Sequence, residues 1–200
     1  MSIFISNKGK GKWIESTTFE KEEELQKYIT EHPDSIPLSE LKDKPKLKII
    51  SREFYTSHKE RIDHIGIDQD GNIYLIETKQ YKNPDKRHVV SQVLDYGATL
   101  SSDYSPDGFL AQIEEWISDN TPSSNSLLEL IKEYYEIDKD SANEIIDKVK
   151  NNFLDNKFKF IVIMDQIDEK IKNLAKFLTK HSDFAITILF HKLNRAFWLV

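Results

Sequence analysis

Between Arg61 and Tyr96 the sequence reads RIDHIGIDQDGNIYLIETKQYKNPDKRHVVSQVLDY, and five polar residues in it have types and spacing that could serve one site: Asp63, Glu77, Lys79, Gln92 and Tyr96. Two carboxylates held close together repel, and at least one rises in pKa unless a cation lies between them. A hard divalent ion such as Mg²⁺ or Mn²⁺ takes oxygen ligands and keeps several waters, so two carboxylates plus a backbone carbonyl suffice to hold one. The carbonyl of Thr78, between Glu77 and Lys79, is the natural third ligand. Such an ion lowers the pKa of water and screens charge that develops on a phosphorus under attack. Lys79 is placed to orient that water or to stabilise the same charge.

The elements that must position these residues are legible too. Ile73-Tyr74-Leu75-Ile76 is β-branched and aromatic and follows the turn dipeptide Asp70-Gly71, which predicts a strand ending in Glu77-Thr78-Lys79. Strand side chains alternate, so Glu77 and Lys79 project to one side and Thr78 to the other. For Asp63 to join Glu77, the hairpin needs the three-residue loop Gln69-Asp70-Gly71, with Gly71 left-handed. Asp63 then stands opposite Glu77; a two-residue Asp-Gly turn would slip the register and send it to the other face. Beyond the second strand, a helix carries Gln92 and Tyr96 four residues apart, hence on one side.

An acid in one strand, Glu-Thr-Lys closing the next strand fourteen positions on, and a helix with Gln-x-x-x-Tyr together resemble the PD-(D/E)XK nuclease superfamily, especially its RecB-like and NucS-like branches. The resemblance has motif support over about residues 20 to 100. It implies a restriction-endonuclease-like α/β fold, a mixed sheet flanked by helices. It also implies that Asp63 and Glu77 ligate Mg²⁺ or Mn²⁺, that Lys79 is catalytic, and that Gln92 and Tyr96 touch the substrate backbone or support the site. Members often carry a helical glutamate as an outer ligand or water partner, and Glu22, on the stripe with Leu25 and Ile29, fills that place. The competing reading of Glu22 is a first-turn acid favoured by the helix dipole.

The 200 residues hold 28 basic and 34 acidic side chains, for a net charge of −6, and no cysteine, which excludes disulfides, thiolate nucleophiles and cysteine zinc sites. That acidity argues against nucleic-acid binding through the overall field. A local strip of Lys79, Lys82, Lys86 and Arg87, interrupted by Asp85, would admit a phosphate backbone; the competing reading is a solvated loop. No apolar run approaches the roughly 18 residues of a membrane span, and no signal peptide is recognisable, so a cytoplasmic protein without membrane contact is expected.

Four segments are expected. Residues 1–18 form a hairpin with strands at 2–6 and 12–15 around the turn 7–11. The nuclease core, 19–102, includes a helix over 18–32 capped by Thr17 or Thr18 and stopped by Pro33, then an edge strand over 46–56. A helical insertion, 103–155, has stretches at about 107–118, 125–136 and 140–153. As a unit it could be a lid, a homodimer surface, a docking place for a partner protein or a device for choosing DNA structures, whereas plain core packing is the leading reading for any single residue in it. The segment 156–200 completes the α/β domain with strands at 158–164, 184–190 and 195–200 and a helix at about 168–180 capped by Asp165. His58 and His64 read as solvated residues or as neighbours behind the site. These expectations add up to a metal-dependent DNA endonuclease of repair or defence that recognises backbone and shape, since no base-reading element is evident. The alternatives are an inactive nucleic-acid- or protein-binding module on the same fold, and a subunit of a larger repair or defence complex.

Overall fold

The computed structural model describes residues 2–7, 10–15, 19–36, 38, 44–80, 82–83, 88–121, 124–164 and 169–181, with the backbone alone for 2–7, 10–15, 172, 175, 179 and 181. Thr17, Thr18, Lys86, Arg87, Asp165 and the strands expected at 184–190 and 195–200 lie outside the described residues. The chain opens with an antiparallel hairpin of β1 (Ser2–Asn7) and β2 (Lys10–Glu15). Its strands are longer than expected, because Asn7, Lys10 and Gly11, read as turn residues, stand in the ladder.

Helix α1 (Glu22–Glu31) begins later than the sequence suggests. Lys21 is its N-cap and makes no side-chain cap bond, and Glu22, Glu23 and Glu24 in the first turn meet the positive end of the helix dipole. The Pro33–Ser35 3₁₀ turn ends it. Next, β3 (Lys48–Tyr55), β4 (Arg61–Ile67) and β5 (Ile73–Lys79) form an antiparallel meander. β6 (Phe158–Met164) pairs parallel with β5, so the mixed sheet has the order β3-β4-β5-β6.

The β4–β5 connection has the form that the site requires. Ile67 pairs with Ile73, and Asp68 N–H donates to the Asn72 carbonyl at 3.3 Å, which leaves Gln69, Asp70 and Gly71 as the loop. Gly71 has φ 71°, and a Cβ there would also lie 2.5 Å from the Lys148 side chain. No other residue type meets both conditions without strain.

Between β5 and β6 run α2 (Val89–Asp103), α3 (Pro106–Asn120), α4 (Leu127–Tyr135) and α5 (Lys139–Leu154); α6 (Glu169–His181) follows β6. Ser105, Ser126 and Asp138 cap α3, α4 and α5 by accepting from Gly108, Glu129 and Ser141 N–H groups. The apolar stripes of α3 to α5, including Phe109, Ile113, Leu130, Ile131, Val149 and Phe153, are buried with Ile65, Ile67 and Leu75 in the larger core cluster. The expected insertion is thus a helical layer over one sheet face, and plain core packing accounts for its apolar residues. At Gly97 a Cβ would come within 2.8 Å of Phe160, so glycine lets α2 approach the sheet closely. A second, smaller cluster joins Leu25 and Ile29 of α1 to Leu47, Tyr74, Ile76 and Ile161 on the opposite face. The protein is an α/β fold of a mixed sheet flanked by helices, as expected. No helix among the described residues is long and apolar enough to cross a membrane.

Candidate active site

The site is built where the β4–β5 ladder opens. Hydrogen-bonded pairs alternate along an antiparallel ladder, so after Asp68 with Asn72 the bonded positions are Gly66 with Tyr74, His64 with Ile76, and then Ile62 with Thr78. Pairing stops at His64 and Ile76. Instead, Thr78 N–H donates to Asp63 Oδ2 at 2.8 Å and the Thr78 hydroxyl to the same oxygen at 2.6 Å. The carboxylate of Asp63 replaces a strand carbonyl.

The cause lies one strand further out. The β3–β4 ladder pairs Arg52 with His64 and resumes at Phe54 with Ile62, skipping Glu53 and Asp63, and Glu53 sits in the left-handed region at φ 55°. That conformation costs a non-glycine residue about 1 kcal/mol or more and persists only where its surroundings impose it. Strand alternation slips here: Ile62 and Ile65, three apart, both join the larger cluster. Asp63 consequently turns toward α1, where Gln26 Nε2 donates to its Oδ1 at 2.8 Å. The expected pairing frame of Asp63 and Glu77 is present, but the expected sharing of one sheet face is not, because the skipped pair rotates Asp63 toward Thr78.

Glu77 is held from the other side. The Tyr96 hydroxyl, which accepts from Gln92 Nε2 at 2.7 Å, directs its proton between Glu77 Oε2 at 3.1 Å and the Arg61 carbonyl at 2.9 Å. Lys79 Nζ lies 3.6 Å from Glu77 Oε1 and 3.6 Å from Glu22 Oε1. Glu22 in turn accepts from the Gln80 N–H at 3.2 Å and the Asn83 amide at 3.3 Å. Residues from α1, β4, β5 and α2 therefore meet at one end of the sheet.

Behind Asp63, His64 Nε2 lies 2.9 Å from the Gln26 carbonyl and 3.0 Å from Thr30 Oγ1, whose own proton goes to that carbonyl. Since a carbonyl only accepts, Nε2 carries the hydrogen. Burial lowers the His64 pKa to about 4, against the stabilising bond to Gln26 and with help from the Arg52 charge, so the ring is neutral. His64 is not solvated, as one expectation had it; it braces the residue that holds Asp63.

The electrostatics of the cluster are unfavourable to three anions. Glu77 is 2% exposed, and burial, followed by the charge of Asp63, pushes its carboxyl up to about 8 despite Lys79 and the Tyr96 bond. Burial also raises Asp63, against the two Thr78 bonds. Burial and then the neighbouring Glu77 charge push the Tyr96 phenol above its ordinary range. Lys79 stands between Glu77 and Glu22 as a cation with its side chain 12% exposed.

Among the remaining candidates, Lys82 is exposed and donates to the Glu20 carbonyl at 2.8 Å. His58 is exposed and lies 3.1 Å from Asp103, away from the acids. Gln26, Thr30 and the Thr78 side chain were not anticipated. The available signal for Gln26 was its place four residues after Glu22 and three before Ile29, a polar residue on a buried stripe. Among the described residues, no group of three or more His, Cys, Asp or Glu side chains is arranged as a metal cluster.

No family model and no curated protein matches the chain. A solved structure to which it is similar is that of a repair endonuclease from Pyrococcus abyssi, at 20% identity and a TM-score of 0.38. The match covers 90% of this chain and 50% of the endonuclease, so the chain spans about half the length of that protein. A likeness of that size carries no argument about activity.

Proposed function

We propose that the protein is a metal-dependent nuclease that hydrolyses phosphodiester bonds of DNA with PD-(D/E)XK chemistry, recognising backbone and shape. One observation carries the reading: Glu22, Glu77 and Lys79 meet beside Asp63 at the open end of the β4–β5 ladder, with Glu77 pushed up to about 8. A buried carboxyl that ionises so reluctantly, even with Lys79 3.6 Å away, is one whose charge a further cation would stabilise. The donors available are oxygens only, which suits Mg²⁺ or Mn²⁺ rather than a soft metal. Glu77 and Asp63 would hold the ion, with the Thr78 carbonyl, which leaves the strand on the same side as the Thr78 N–H, as the third donor. When bound, such an ion activates water and screens the charge developing on phosphorus.

The protein's own groups do the positioning. Gln26 and Thr78 fix the Asp63 carboxylate with neutral donors, leaving its charge intact. Tyr96, oriented by Gln92, fixes Glu77. Lys79, between Glu22 and Glu77, is placed to orient the attacking water and to meet negative charge on the phosphoryl oxygens.

Calorimetric titration of Mn²⁺ and Mg²⁺ into the wild type and Glu77→Ala, with cutting assays on single-stranded, duplex and branched DNA, tests this reading. Metal binding that disappears in the variant, together with metal-dependent cutting, supports it. Absence of binding by the wild type, with and without DNA, overturns it and favours a binding module on the same fold.

A further inference from the structure

β3 is the outer strand of the sheet, with no partner on its far side among the described residues. Its residues Ser51 to Tyr55 form one wall of a groove of about 310 Å³, and α3 forms the other through Glu115, Trp116 and Asp119. Five strand residues span roughly 16 Å, the length of a short extended peptide. The bulge between Ile49 and Ser51 and the left-handed Glu53 interrupt the edge, so a long added ladder is excluded and recognition falls to side chains.

Three features define the occupant. Ser51 is 1% exposed, and its Oγ, like the buried Nε of Arg52, has no hydrogen-bond partner. Both atoms are covered, so they meet the carbonyls of an incoming peptide backbone only when the side chains of the groove move aside. Glu53, Glu115 and Asp119 set three acids against Arg52 in the lining. Glu53 is already paired with Arg52 at 3.7 Å and Arg61 at 3.3 Å, whereas Glu115 and Asp119 are exposed and make no ion pair among the described residues. Tyr55, 55% exposed, and the half-buried Trp116 add aromatic surface of the kind on which a lysine or arginine stacks. Phosphate would be repelled here.

We infer that the β3–α3 groove docks an extended, lysine- or arginine-bearing segment of a partner protein. Arg61, which pairs with Glu53 at the groove, opens the strand that carries Asp63, so the docked segment brings positive charge beside a protein of net charge −6. The inference goes beyond the nuclease reading and does not depend on it.

A random dodecapeptide display library is panned against the full chain and against the double variant Glu115→Lys/Asp119→Lys, with Asp119→Lys alone as a second variant in case the double one folds poorly. The expected result is enrichment of sequences carrying lysine or arginine on the wild type and at least a tenfold loss of affinity for a synthetic enriched peptide on the variants. The same peptide should slow hydrogen exchange at β3 and α3 amides. Equal enrichment on wild type and variants, enrichment of acidic peptides, or protection of these amides by a single-stranded oligonucleotide and not by peptide overturns the inference. Metal binding measured on the same variants should match the wild type, which separates this result from the fate of the catalytic reading.

Discussion

Asp63, within β4, and Asp68, one residue beyond its end, lie five residues apart, are 4% and 1% exposed, and are both bound by several neutral donors. Asp68 closes a turn: it accepts from the N–H groups of Asp70 and Asn72, the Asn72 amide and the Tyr74 hydroxyl, with Lys159 3.9 Å away. Every one of its contacts is a donor or a cation. Asp63 takes three neutral donors, but acts electrostatically on Glu77 and feels Glu22, and burial raises both Asp63 and Glu77. Burial of a carboxylate is therefore no sign of function by itself. What separates the two is whether carboxylates have been brought together without enough positive charge, an arrangement that costs stability and that the proposed metal ion would relieve.

The sharpest way to break this comparison is to exchange the consequences of the two residues. Glu77→Ala or Asp63→Asn should lower metal-dependent cutting by about a thousandfold or more, with the melting temperature of the metal-free protein unchanged or raised. Asp68→Ala should leave the turn N–H groups and the buried Tyr74 hydroxyl unpaired and cost about 3 kcal/mol, while cutting per folded molecule persists. Single-turnover cleavage and thermal melting read the two effects separately. Loss of cutting in folded Asp68→Ala would erase the distinction.

A second difference follows from pH. Because the folded Glu77 carboxyl titrates near 8, above its ordinary value of 4.5, the protonated form is favoured by folding. Its stabilising contribution is complete below about pH 4.5 and is lost as pH rises through 8. Melting of the metal-free protein should thus fall by roughly 5–10 °C from pH 5 to pH 9. Glu77→Gln should flatten that dependence, and added Mn²⁺ should oppose it, since ligands must be deprotonated to bind. A metal-free melting temperature that rises over this range would contradict the electrostatic account.

Smaller effects sharpen the comparison by testing what holds each acid. Gln26→Ala should weaken Mn²⁺ binding by about 10- to 100-fold, as expected when an outer partner of a ligand is lost. Tyr96→Phe should reduce stability by only about 1 kcal/mol. Since the Tyr96 bond lowers the Glu77 pKa, its removal should move the alkaline rise of the pH–rate profile upward, which a purely structural role would not do.

Much of the frame was legible from local chemistry. The run Ile73 to Ile76 and the stripes of α3 to α5 each encode their own conformation, so β5 and the helices follow from neighbours in the chain, whereas the three-residue loop after Asp68 came from the requirement that Asp63 stand opposite Glu77. The β4–β5 register also followed, because loop length sets it. The helical layer was legible as helices with core-packing stripes, but the sheet face that it covers was not, since a stripe does not state what it packs against.

The site divides in the same way. Residue types, order and spacing determined that Asp63, Glu77 and Lys79 would lie near one another and that Gln92 and Tyr96 would share a helix face. Only the tertiary structure decided that Asp63 turns to Thr78 and Gln26, that Glu22 reaches Lys79, and that His64 braces Gln26 from behind. The reason is that alternation assumes an unbroken ladder. Here the break at Glu53 and Asp63 is imposed by β3, and the answering donors come from α1, which lies far from both strands in sequence and is brought beside them by the burial of Leu25 and Ile29.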